Sequence, residues 1–226
     1  TQSATAQVRY VDANTGKDII PPKTYAGEVD GSATIDKQID AMKSKGYNYI
    51  GVDSTGAPNY IDSTGTVKLT NAGQNIIYKF NDAQKPTISV SNPTIEVGKP
   101  TSPISVTVTD NSSDPVKTTV TGLPDGLSFD STTNTITGTP THIGTTTVQV
   151  HSEDSTGNAS DSSFVITVKD STGPTITQIS NQSSEVYNPI NPITISATDN
   201  SGAKVDNEVS GLPDGLTFDS NTNTIS

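Results

Sequence analysis

Gly122-Leu123-Pro124-Asp125-Gly126-Leu127, followed by Phe129-Asp130-Ser131 and Asn134-Thr135-Ile136, decides the fold because it occurs twice. It returns as Gly211-Leu212-Pro213-Asp214-Gly215-Leu216, Phe218-Asp219-Ser220 and Asn223-Thr224-Ile225. The Thr109-Asp110-Asn111-Ser112 ahead of it returns as Thr198-Asp199-Asn200-Ser201, so the two copies are offset by 89 residues. A period of that length is a whole small domain, longer than a solenoid unit. Pro124 and Gly126 fall where a type I turn over Leu123–Gly126 favours them, at its second and fourth positions.

Around the first copy, short apolar-alternating runs recur at Thr87–Val90, Thr94–Val97, Ile104–Thr109, Lys117–Val120, Thr135–Thr137, Thr145–His151 and Ser163–Val168. Seven short strands with no helical period predict an antiparallel β-sandwich of immunoglobulin or cadherin type over residues 82–170. The second copy starts at Asp170-Ser171-Thr172-Gly173-Pro174, matching Asp82-Ala83-Gln84-Lys85-Pro86. Ser226 corresponds to Thr137, so the sandwich over 171–226 is expected to be truncated, with its last two strands missing.

Residues 1–81 follow a different pattern. Ala6–Asp12 alternates as a half-buried strand, Asn14-Thr15-Gly16 is a turn, and Asp18-Ile19-Ile20 begins a return strand checked by Pro21-Pro22. Ser32-Ala33-Thr34 offers helix caps before Ile35, Ile39 and Met42, with Gly46 as the stop. Further strands are expected at Tyr47–Val52, near Tyr60-Ile61, at Thr66–Leu69 and at Ile76–Phe80. Two strands, a helix and more strands predict a ubiquitin-like β-grasp, an α+β module with its helix on one sheet face. The chain as a whole reads as mainly β and multi-domain.

Composition bounds the function. Thirteen basic and 24 acidic residues leave a net charge of −11, which argues against nucleic acid and anionic membrane partners. Cysteine is absent and there are two histidines, which excludes a disulfide framework and a structural zinc site. No apolar run is long enough to insert in a membrane. The excess carboxylate is either a solvated surface or a set of hard-cation sites.

In a seven-stranded sandwich the N-terminal approach and the loops after the second and sixth strands share one end. Here these are Asn81-Asp82, Asp110-Asn111 with Asp114 nearby, and Glu153-Asp154 followed by Gly157-Asn158. Three acidic loops converging would repel unless a cation sat between them, and Ca²⁺ accepts six to eight such oxygens. Asp82, Asp110, Asn111, Glu153, Asp154 and Asn158 are therefore candidate Ca²⁺ ligands, with Asp170, Asp199 and Asn200 as their counterparts in the second copy. Asp-Asn-Ser and Asp-Ser-Thr-Gly are equally common turn sequences that bond their own backbone.

No catalytic constellation emerges, and the chain reads as a non-enzyme. His151 is near Asp154 without a placed nucleophile, and the neighbours Glu153 and Asp154 point to opposite faces of an extended chain. Six of the seven tyrosines lie in the first module. Tyr47, Tyr49 and Tyr60 are conceivable glycan contacts, although such rings more often fill a small sheet core.

Two resemblances sharpen these readings. Val8-x-Tyr10-x-Asp12, Thr15-Gly16, Gly27-x-x-x-Gly31, Gly46-Tyr47 and Ile77-Tyr78-Lys79-Phe80 resemble the mucin-binding-protein repeat of Gram-positive surface proteins, a β-grasp family. Gly122–Asp130 with Ile136–Pro140 resembles the bacterial immunoglobulin-like or cadherin-like family. Their order resembles the ligand-binding region of serine-rich repeat surface glycoproteins of staphylococci. That resemblance implies a secreted, cell-wall adhesin segment, monomeric, acting as a Ca²⁺-rigidified stalk. It would project a neighbouring lectin domain of the same polypeptide, which binds sialylated host glycoproteins during host-cell or platelet adhesion. The alternative implied by the first module is direct binding of host mucin or glycoprotein, or bacterial aggregation, through the β-grasp.

Overall fold

The computed structural model describes residues 3–226. The chain forms two compact units: one holds everything through Ser89 plus Thr107–Thr119 and Val150–Ser162, the other Val90–Val106, Val120–Gln149 and Ser163–Ser226.

In the first unit, β1 (Ser3–Asp12), β2 (Asp18–Glu28), β4 (Tyr47–Asp53) and β6 (Gln74–Asp82) form one sheet in the order β2-β1-β6-β4. The central pair β1–β6 is parallel, Val8 beside Ile76 and Tyr10 beside Tyr78, while both outer pairs are antiparallel. A second ladder joins β3 (Ser32–Thr34) to β5 (Thr66–Lys68). One short helix, α1 (Ile39–Ser44), gives Met42 to the core. A mixed sheet with its parallel pair in the middle and one helix on it is the β-grasp arrangement. Its core is the alternate residues of the two central strands, Ala6, Val8 and Tyr10 on β1 and Ile76, Tyr78 and Phe80 on β6. All six are fully buried. At about 25 cal/mol per Å² of apolar surface this face is the main stabilising term of the unit.

Two local expectations change. Ser32-Ala33-Thr34 does not cap the helix; it pairs with β5, and the Ile35 amide bonds Gly65 O at 2.7 Å. Strand pairing there offers partners that a free cap could not, so the helix starts later, Ile39 is 41% exposed, and Met42 is the buried residue of α1. The stop at Gly46 is as expected: φ is 87° and its amide bonds Lys43 O at 3.0 Å. Second, Pro21-Pro22 does not end the return strand. Val8 pairs with Lys23 and Tyr10 with Ile20, so both prolines bulge opposite Arg9. β2 is an edge strand, where a missing N–H costs no ladder bond.

The repeat region is all β. β7 (Thr87–Ser89) pairs with β10 (Thr107–Thr109). β9 (Ile104–Ser105), β12 (Leu127–Asp130) and β13 (Thr135–Gly138) form a sheet in the order β12-β13-β9. β8 (Thr94–Glu96), β11 (Lys117–Thr121), β14 (Gly144–Glu153) and β15 (Ala159–Lys169) form another in the order β11-β14-β15-β8. Val148, Val150 and Ser152 on β14 and Phe164, Ile166 and Val168 on β15 are the buried faces of an immunoglobulin-like sandwich. In the second copy, β16 (Thr175–Ile176) pairs with β18 (Ala197–Thr198). There β17 (Ile193–Thr194), β20 (Thr224–Ile225) and β19 (Phe218–Asp219) form a sheet. A groove of about 510 Å³ lined by Ile190, Ile193, Leu212, Leu216 and Ile225 runs beside it. Val186 is 78% exposed where its counterpart Val97 is 1% exposed.

The Leu-Pro-Asp-Gly turn is shifted by one residue from the expected type I turn. The Leu127 amide bonds Pro124 O at 3.2 Å, placing Gly126 third with φ 91°. A positive φ at that position is the mark of type II and favours glycine. A Cβ on Gly126 would also overlap the Thr139 carbonyl oxygen, and one on Gly138 the Gly126 oxygen. Gly215 repeats the conformation, φ 90°, with open space around it. Gly126→Ala should therefore suffer both the backbone strain of about 1–2 kcal/mol and a backbone collision, whereas Gly215→Ala suffers the first alone. Thermal melts of the two variants check this, with the larger fall expected for Gly126→Ala.

Candidate metal centre

The three acidic loops meet. Asp82 ends β6, Asp110 follows β10, and Asp154 follows β14; one carboxylate oxygen of each lies within 4.8 Å of the others. All three belong to the first compact unit. Each carboxylate also closes a small turn on its own backbone. Asp82 Oδ1 accepts from the Gln84 amide at 3.0 Å, Asp110 Oδ2 from Ser112 at 3.2 Å, and Asp154 Oδ1 from Thr156 at 2.9 Å. The ordinary turn reading thus accounts for one oxygen of each. It leaves Asp82 Oδ2 and Asp110 Oδ1 buried with no hydrogen-bond partner. Buried polar atoms are nearly always satisfied, so two orphaned oxygens on carboxylates of one cluster call for a partner, which a proton, a water or a cation would supply.

The electrostatics agree. Asp82 is 2% exposed, and burial, followed by the Asp154 charge, raises its carboxyl above the ordinary range despite bonds from Gln84 and Asn111. Asp110 is raised by burial and then by Asp82 and Asp154. Two like charges this close repel by roughly 3–4 kcal/mol at an effective dielectric of ~20. These carboxylates, with nearby amide and main-chain oxygens, fit a hard divalent cation that accepts irregular oxygen geometry.

Asn111 and Asn158 brace the cluster. Asn111 Nδ2 donates to Asp82 Oδ1 and to Lys45 O, both at 3.0 Å, and its own Oδ1 is buried without a partner. That bond requires close approach to Gly46, where a Cβ would stand 2.6 Å from Gln84 Oε1 and 2.8 Å from Asn111 Nδ2. Asn158 Nδ2 donates to Asp154 Oδ2 at 2.9 Å and to Asp82 O at 3.0 Å. Glu153 is not part of the cluster. As strand alternation dictates, it points outward, its carboxylate 3.9 Å from His151 Nε2.

The counterparts in the second copy lie in the other unit. Asp170 Oδ1 accepts from the Thr172 amide at 3.2 Å, and Asp199 Oδ2 from the Ser201 amide at 2.9 Å. Asn200 Nδ2 donates to Val97 O at 2.8 Å and Glu96 Oε1 at 3.1 Å, leaving its Oδ1 buried and unpartnered. Glu96 is the residue the sequence reading missed. It collects the Ser171 amide at 2.8 Å, the Ser171 hydroxyl at 2.7 Å and the Thr172 hydroxyl at 3.2 Å. These bonds hold its carboxyl down at about 2. A signal existed: Glu96-Val97-x-x-Pro100 recurs as Glu185-Val186-x-x-Pro189 at the same offset of 89.

Tyr47, Tyr49 and Tyr60 all make contacts within the β-grasp module. Tyr47 is 5% exposed within the β-grasp core; burial, with the Asp12, Asp82 and Asp110 charges behind it, pushes its phenol up. Tyr49 packs edge-on against Phe80 at 5.6 Å and lies under Lys37 Nζ at 5.3 Å. The Tyr60 hydroxyl bonds Tyr78 at 2.9 Å and Asp62 at 3.1 Å, while Asp62 pairs with Lys37 at 2.8 Å. His151 is bound through Nδ1 to Asp161 at 2.7 Å.

Comparison with known proteins places the chain. It is 59% identical over all 226 residues to the "Serine-rich adhesin for platelets" of Staphylococcus aureus strain MRSA252. It is equally similar to the same protein of strain USA300. The chain spans 17% and 10% of the lengths of these relatives. Among solved structures, the human Desmocollin-1 ectodomain aligns at 17% identity and a TM-score of 0.38, over 88% of this chain and 49% of that one. Human CDH23 EC21-23 aligns at 16% identity and a TM-score of 0.36, over 97% and 87% respectively. The family described as "Putative Ig domain" matches residues 85–169 and again 173–226. With both copies of the repeat matched, this chain belongs to the Putative Ig domain family.

Proposed function

We propose that the chain is a non-catalytic spacer within a larger bacterial cell-surface adhesin. Its modules are residues 1–81, 82–170 and 171–226, and its acidic clusters bind Ca²⁺ at the module joints. The observation that carries this reading is the pair of orphaned buried oxygens, Asp82 Oδ2 and Asp110 Oδ1, in a cluster that also holds Asp154. A Ca²⁺ bound there would offset most of the cluster's charge and hold the loops after β10 and β14 to the end of β6. Asp82, Asp110 and Asp154 would ligate it, with Asn111 and Asn158 orienting them; Glu96, Asp170, Asp199 and Asn200 would form the second site. Stiffness serves a spacer because a distal binding domain held in place loses less conformational freedom on capture. The whole-chain identity to the staphylococcal adhesin supports a place within a larger adhesin; wall attachment, and a neighbouring lectin domain that takes sialylated host glycans, are what the family resemblance implies.

Terbium tests the site. It occupies Ca²⁺ sites and luminesces when a nearby aromatic ring transfers excitation. The chain has no tryptophan, and Tyr47 lies beside Asp82 and Asp110. Sensitised emission should appear with Tb³⁺, be displaced by Ca²⁺, and fall sharply in Tyr47→Phe and in Asp82→Asn. Emission unaffected by both substitutions would reject the site.

A further inference from the structure

We propose that the turn between β1 and β2 is a latch, independent of any cation, that pins the β-grasp sheet to the loops carrying Asp110 and Asp154. The turn is rigid in itself. Asp12 Oδ1 accepts from the Asn14 amide at 2.8 Å, the Gly16 amide bonds Asp12 O at 2.7 Å, and Arg9 reaches Gly16 O at 3.1 Å while pairing with Asp18 at 2.9 Å. From this frame two side chains extend to the neighbouring loops, all within the first compact unit. Lys17 Nζ pairs with Asp114 Oδ1 at 3.1 Å. Asn14 Nδ2 donates to Ser155 Oγ at 3.1 Å and Ser155 O at 3.3 Å. Ser155 Oγ in turn donates to Asp114 Oδ2 at 3.1 Å, so one carboxylate joins both arms.

Asp114 is what makes this more than a surface ion pair. Its side chain is 7% exposed and both oxygens are engaged, Oδ1 by Lys17 and Oδ2 by Ser155. An isolated exposed pair stabilises little, whereas a closed network of satisfied groups holds its members in one arrangement. Two tethers between the same bodies also reinforce each other: while one holds, the other re-forms at high effective concentration. Asp110 and Asp114 share one loop, as do Asp154 and Ser155, so the latch grips the same two loops as the acidic cluster by separate atoms. Removing a cation therefore frees the cluster without releasing the sheet.

The test uses pairs of spin labels on the full 226-residue chain, which has no native cysteine to interfere. Lys43→Cys on α1 and Thr119→Cys on β11 are exposed attachment points. In excess chelator the distance distribution should stay narrow, and Asn14→Ala with Lys17→Ala should broaden it and shift it. Lys17→Arg should keep it narrow, and far-ultraviolet dichroism should match throughout, separating undocking from unfolding. A distribution that broadens in chelator without substitution, or stays narrow in the double variant, overturns the latch. Because these arms contain no cation, their outcome is independent of the Ca²⁺ reading. Adding Ca²⁺ to the double variant tests that reading separately.

Discussion

In excess chelator, Asp82→Asn should melt at a higher temperature than the wild-type chain, and Ca²⁺ should no longer raise its melting point. The substitution is isosteric. Asn Oδ1 still accepts from Gln84 and Asn111, while Nδ2 replaces the orphaned Oδ2 in the cluster that also holds the orphaned Asp110 Oδ1. A buried charge disappears and a donor arrives where none existed. If the wild type binds Ca²⁺ as proposed, the cation at a hundred times its dissociation constant would stabilise the folded state by about 2.7 kcal/mol, a rise of roughly 10 °C for a small domain. Both effects should vanish together in the variant. If Asp82→Asn weakens the chelated protein and Ca²⁺ still shifts it, the cluster is a set of turns and nothing more.

The same cluster fixes a pH dependence. Folded Asp82 and Asp110 hold protons more tightly than their ordinary value of 3.8, so the cation-free fold gains stability as pH falls from neutral through their raised values. Opposing groups take over lower down. Asp53, Asp62 and Asp199 lie below 3.8 in the fold and Glu96 lies near 2, so the stability they contribute is lost as pH falls through their lowered values. Melts in chelator should peak on the acid side of neutral, and Asp82→Asn should flatten the rise toward that peak.

Much of this was legible in the sequence because periodicity and repetition report which residues face inward. Val148, Val150, Phe164, Ile166 and Val168 are buried as their alternation requires, and Asp82, Asp110 and Asp154 meet because a sandwich delivers those loops to one end. What failed was local sequence with two competing partners. Ser32-Ala33-Thr34 has the chemistry of a cap, yet a neighbouring strand at Thr66–Lys68 offers it a full ladder. Glu153 sits beside Asp154 in sequence, yet its carboxylate lies on the outer face beside His151. Glu96 reads as the solvent face of a strand, and only tertiary structure brings Ser171, Thr172 and Asn200 to its carboxylate.

Phe80→Ala should unfold much of the first compact unit and take the cation response with it. Phe80 is fully buried on β6, flanked on one side by β1 and on the other by Tyr49, its cross-strand neighbour. Truncating a core phenylalanine costs about 3–5 kcal/mol, against a typical domain stability of about 5–15 kcal/mol. Ile50→Ala, at a position 56% exposed on the adjacent strand, should stay within about 0.5 kcal/mol and serves as the control. The functional consequence follows from strand geometry. Phe80 and Asp82 are two residues apart on the buried face of one strand, so the packing that fixes the ring also fixes where Asp82 Oδ2 points. At temperatures where the variant is still folded, Tb³⁺ should therefore bind more weakly than in the Ile50→Ala control. Equal affinity would mean that Asp82 is positioned by its own loop contacts, Gln84 and Asn111, and that the core and the cluster are energetically separate.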